Sequence, residues 1–111
     1  MEYYDFTETL KLERKAVKLI GDDEIAELQL YLCQFPKRDA VIPASNGIRK
    51  VRWSSSGRGK RGGARVIYYL ALESGQVLLL DIYAKNEKDD LTFEELKNLK
   101  NIVQEWLKRN E

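Results

Sequence analysis

Apolar positions along the chain repeat with two different periods. Residues 3–6, Tyr-Tyr-Asp-Phe, form a short aromatic run that predicts a first strand. Thr7 then stands as an N-cap ahead of Leu10, Val17 and Ile20, with Ala16 and Leu19 beside them, and this spacing predicts a helix closed by Gly21. Asp22 or Asp23 opens a second helix, in which Ile25, Leu28, Leu32 and Phe35 recur until Pro36, so the two read as a helical hairpin. Cys33 falls on this second helix, where a small buried hydrophobe is the expected role. Residues 37–47 carry Pro43 and an Asn-Gly turn signal and predict a connection.

Beyond it the period changes to two. Over 48–53, Val51 and Trp53 fall on one face, and Ile48, Lys50 and Arg52 fall on the other. The Gly/Ser/basic stretch 54–63 predicts a loop, and the apolar runs 64–72 and 77–84, joined by Glu73-Ser74-Gly75-Gln76, predict a central antiparallel hairpin. Thr92 with Glu95 three residues on forms a capping box for a last helix that has Leu96, Leu99, Val103 and Trp106 on one face. The order β-α-α-β-β-β-α predicts an α+β domain with an antiparallel sheet and helices packed over one face.

The length of 111 residues, with 43% hydrophobic and 33% charged positions, suits a single domain spanning 1–111. Cys33 is the one cysteine, so no internal disulfide is possible. The first residues lack a basic start followed by an apolar stretch, and no run approaches the roughly 20 residues of a membrane span. A soluble cytoplasmic protein with no membrane partner is the expectation. The chain has no histidine. That excludes Ser-His-Asp and Cys-His nucleophile systems, two-histidine ribonuclease chemistry and His-rich zinc sites, leaving Lys, Arg, Tyr and carboxylates for any catalysis.

The net charge of +1 conceals segregation. Between Lys37 and Arg65 nine cations stand against Asp39 alone, a net of +8, so the flanks together carry −7. Such a block predicts a polyanionic or acidic partner. The carboxylates Glu87, Asp89, Asp90, Glu94 and Glu95 read as charges complementing the start of the last helix, so no metal site is expected. The stretch GRGKRGG at 57–63 lacks the spacing of a nucleotide-binding P-loop, and no nucleotide or other cofactor is implied.

The remaining candidates are cations on a sheet. If the strands flanking the 54–63 loop pair antiparallel, Arg52 and Arg65 meet at its base, with Lys50 on the same face and Lys85 at the end of the last strand closing the group. Clustered cations lower the pKa of a lysine among them, which suits it to general-base work, and guanidinium groups stabilise a phosphorane-like transition state. Among nearby aromatics, Trp53 and Tyr68 are expected in the core, while Tyr69 and Tyr83 are candidates for stacking on a base.

The runs IRKVRWSSSGRGKRGGARVIYYL at 48–70 and LLLDIYAKNEKDDLT at 78–92 resemble the RelE/HigB family of type II toxin–antitoxin toxins, and within it the HigB-like branch. The resemblance implies a RelE-like fold and a metal-independent, ribosome-dependent endoribonuclease that cuts mRNA and inhibits translation. It implies catalytic roles for Lys50, Arg52, Arg65 and Lys85; contacts to RNA or the ribosome are expected from Arg49, Arg58, Lys60, Arg61, Asn86, Tyr69 and Tyr83. Where relatives carry an arginine beside the last basic residue and a tyrosine further on, this sequence has Asn86 and Thr92. The implied partners are the ribosome, mRNA and a cognate antitoxin, with a helix-turn-helix DNA-binding domain, whose acidic segment covers the basic surface. Two other functions fit the same fold: ParE-like inhibition of DNA gyrase without catalysis, and passive binding to ribosomal RNA.

Overall fold

The computed structural model describes residues 3–54, 63–88 and 90–109. The elements are β1 (Asp5–Glu8), α1 (Leu10–Leu19), α2 (Gly21–Gln34), β2 (Ile48–Trp53), β3 (Ala64–Ala71), β4 (Gln76–Ala84) and α3 (Phe93–Arg109), in the anticipated order. They build a four-stranded sheet in the order β1-β4-β3-β2. β2, β3 and β4 form an antiparallel meander, whereas β1 pairs parallel to β4, so the sheet is mixed rather than wholly antiparallel.

The helices cover both faces, not one. Leu12, Ala16, Ile20, Leu28 and Leu32 of the helical hairpin pack on Val51, Val66, Tyr68, Val77, Leu79 and Ile82. Leu99, Val103 and Trp106 of α3 pack on Ile48, Ile67, Leu78, Leu80 and Tyr83, whose side chains alternate with the first set along the strands. A meander buried on both sides needs apolar residues at every position, which is why β3 and β4 read as continuous hydrophobic runs.

The start of α1 lies two residues beyond its expected place. Thr7 is held in β1 opposite Leu78. Thr9 is the cap instead: its hydroxyl accepts from the Leu12 amide at 3.1 Å and donates to the Leu80 carbonyl at 2.7 Å, fastening the helix to the sheet. At about 100° per residue this turns the buried stripe to Leu12, Ala16 and Ile20, leaving Leu10 and Val17 exposed. Gly21 opens α2 rather than closing α1, and its φ of +83° makes the sharp turn between the helices. No side chain caps α2, and Asp22, Asp23 and Glu24 complement its dipole from the first turn. Cys33 is buried with Leu28 and Leu32.

β4 carries a bulge where its register against β3 shifts between Ile67 and Tyr68. The extra residue puts Ile82 on the same side as Asp81, which is 1% exposed, meets Lys15 of α1 at 3.2 Å and Lys11 at 3.4 Å, and accepts from the Ile82 amide at 2.8 Å. Tyr83 thereby falls on the α3 side of the sheet.

Candidate nucleic-acid interface

One end of the meander gathers the cations. Arg52 of β2 is the direct register partner of Arg65 of β3, and Arg65 is in turn the partner of Tyr83 of β4. The three form a row across adjacent strands about 4.8 Å apart. Lys50 stands two residues back along β2, on the same face as Arg52 and Ile48. Arg52 is exposed, whereas Arg65 is 6% exposed, held between its neighbours with little freedom to turn.

The segment after β4 borders this row. Lys85 is exposed, and its amide donates to the Gly63 carbonyl at 3.1 Å, which places it beside the start of β3. Asn86 is exposed in the turn that the Glu87 amide closes onto the Ala84 carbonyl. Lys88 reaches back over the Tyr83 ring, 4.8 Å from its centroid, and pairs with Glu95. Glu95 accepts from the Thr92 amide while Thr92 accepts from the Glu95 amide, so the anticipated capping box is formed. Asp90 does not join it. Its carboxylate lies 2.6 Å from Lys50 Nζ, an ion pair between the lead-in to α3 and β2 that proximity to the helix start disguises as capping.

Three groups here titrate away from their ordinary values. The hydrogen bond from Lys50, then its charge, hold the Asp90 carboxyl below the usual carboxylate range, and Arg65 adds to this. Glu95 is drawn down to about 2, chiefly by the hydrogen bond from Lys88 and then by the Thr92 amide. Burial, with the Asp90 charge adding and Arg65 opposing, pushes Tyr83 up to about 12, so its hydroxyl remains protonated at neutral pH.

The structure thus brings Lys50, Arg52 and Arg65 together on one face, with Lys85 and Asn86 at its margin. Other residues singled out in the sequence stand elsewhere. Arg49 points to the opposite face, where its guanidinium donates to the backbone carbonyls of Asp39 and Lys37. Tyr69 pairs with Ile48 and Leu78, four residues along β3 from Arg65, and packs on Gly47 near the other end of the strand. Tyr83 is fully enclosed, so it forms the floor of the site rather than a stacking surface. Arg58, Lys60 and Arg61 lie outside the described residues. Lys88 and Asp90 were missed because their partners, Tyr83 and Lys50, become neighbours only through the sheet.

This arrangement can fix a phosphate between two guanidinium groups and an ammonium. Among the described residues no group of three or more His, Cys, Asp or Glu side chains is placed to hold a metal ion, and no helix is long and apolar enough to cross a membrane.

The family model for the RelE toxin of the RelE/RelB toxin–antitoxin system matches residues 41–111, which include Lys50, Arg52, Arg65 and Lys85. Among solved structures, a double arginine-to-alanine variant of E. coli toxin RelE in the free state matches with a TM-score of 0.61 at 14% identity, over 87% of this chain and 97% of that one. That match covers more of the chain than the family model does.

Proposed function

The chain belongs to the RelE toxin family, and from that membership we propose that it is a metal-independent endoribonuclease that cuts mRNA on translating ribosomes in the cytoplasm. The observation that carries this reading is the Arg52–Arg65 register pair with Lys50 on the same sheet face. In the reaction the 2′-oxygen of one nucleotide forms a bond to its own 3′-phosphorus while the bond from phosphorus to the 5′-oxygen of the next nucleotide breaks. A 2′,3′-cyclic phosphate and a 5′-hydroxyl result. Arg52 and Arg65 neutralise the charge that grows on the phosphoryl oxygens, and Lys50 or Lys85 takes the 2′-hydroxyl proton or supplies one to the departing oxygen. Tyr83 supports the row from below.

A toxin of this kind needs a cognate antitoxin, and the +8 segment offers an acidic antitoxin stretch a complementary surface. Arg58, Lys60 and Arg61 of the same segment are assigned to ribosome contact, as is Asn86 from its exposed place beside Lys85.

Induced expression in bacteria tests the assignment. The chain should arrest growth with cleaved mRNA, and Arg52→Ala or Arg65→Ala should relieve the arrest. Loss of one such cation costs about 3 kcal/mol, or about a hundredfold in rate. Because Arg65 is buried, a melting curve of its variant must first show a folded protein; Arg52 is exposed and needs no such control. Arrest with intact mRNA and a DNA-damage response would replace this reading with gyrase inhibition.

A further inference from the structure

Asp90 reaches Lys50, beside the Arg52–Arg65 pair, without serving the fold in an evident way. The cap of α3 is complete without it, since Thr92 and Glu95 satisfy one another. It stands on the water side of Lys50: the Asp90 side chain is 73% exposed and that of Lys50 is 32% exposed. An exposed ion pair of this sort adds little to stability. Its geometry is nevertheless specific. A carboxylate oxygen 2.6 Å from the ammonium accepts the same charge-assisted hydrogen bond that a phosphate oxygen would.

We propose that Asp90 is a specificity-determining residue that occupies the phosphate position on Lys50, so that an RNA reaches this cation only by displacing an internal counterion. The inference rests on the nuclease reading above and deepens it. A free single strand offers few other contacts, so the displacement weakens its binding appreciably. The displacement costs an RNA presented by a large, already docked assembly the same free energy, but the high effective concentration keeps that RNA bound, so its occupancy hardly changes. Asp90 thereby biases the site against free RNA and toward RNA delivered by such an assembly.

An internal counterion leaves a signature in salt dependence. When phosphate replaces Asp90, the cation shed by the strand is offset by the one the freed carboxylate draws from solution, whereas an unpaired Lys50 gives a net release. The test is the affinity of the full chain for a short single-stranded RNA with 2′-O-methyl groups, which blocks the attacking oxygen, measured over a salt series. Wild type, Asp90→Asn, Lys50→Gln and the double variant are compared. Asp90→Asn should bind about two- to fivefold more tightly at low salt, the range set by an exposed pair. Its log–log salt slope should steepen by about 0.7. Both changes should vanish when Lys50 is also replaced.

An equal gain with and without Lys50 would show a general charge effect and overturn the proposal. Unchanged, weaker or undetectable binding in Asp90→Asn would overturn it as well. The two readings fail separately: ribosomal cleavage without these changes sinks the role of Asp90, and these changes in a protein that cuts nothing sink the nuclease.

Discussion

Glu95 shows how a single side chain links the cap of α3 to the candidate site. It closes the capping box with Thr92 and also holds Lys88 above Tyr83. Glu95→Ala should destabilise the protein by about 1 kcal/mol at neutral pH, the usual worth of a cap. Because folding lowers its carboxyl from 4.5 to about 2, this contribution is complete above about pH 5 and is lost as the pH falls toward 2. Urea denaturation of wild type and variant should therefore show a gap at pH 7 that narrows steadily on acidification. A constant gap would mean that the carboxylate charge is not what the cap uses. Strand alternation placed Lys50 and Arg52 side by side from sequence alone, since period two is a property of the backbone. It could equally have sent Arg49 to the opposite face. Tyr83 escaped that arithmetic because the bulge preceding it resets the phase.

The elements show where sequence periodicity succeeds and where it stops. β2, β3, β4 and the capping box of α3 were legible because their signals are local. The face of α1 was not, since Thr7 and Thr9 are both good caps and the choice is made by pairing of β1 with β4. That α3 lies on the far side of the sheet was implicit in the unbroken apolar runs of β3 and β4, which only a sheet covered on both faces requires. The attachment of α1 depends on Asp81. Asp81→Ala should cost about 2–3 kcal/mol in urea denaturation, near the lower end for a broken buried pair because both lysines keep contact with water. Lys11→Ala, which removes an exposed partner, should cost less than about 1 kcal/mol. Equal costs would show that the carboxylate is not the hub. At the base of β3, Gly63 has a φ of +55°, and a Cβ there would lie 2.3 Å from the Trp53 carbonyl oxygen. Gly63→Ala should destabilise by more than about 1 kcal/mol and spread the Arg52–Arg65 pair. A melting temperature equal to wild type would contradict that close approach.

Across the whole molecule, charge segregation was the most informative feature of the sequence, yet it did not define the site. Of the nine cations between Lys37 and Arg65, Lys50, Arg52 and Arg65 share the α3 face, and Arg49 braces a loop on the other side. Net charge counts residues, whereas register decides which of them act together. Lys50, Arg52 and Arg65 all lie within the stretch matched by the family model, and cleavage of ribosome-bound mRNA is the activity we propose for their common face. The most direct measurement is an in vitro translation reaction with purified, antitoxin-free protein, read by mapping mRNA 5′ ends with and without ribosomes. The account predicts new 5′-hydroxyl ends that form only on translating ribosomes, persist in chelator and fall about a hundredfold with Arg52→Ala. Intact mRNA in the presence of the folded protein would contradict it.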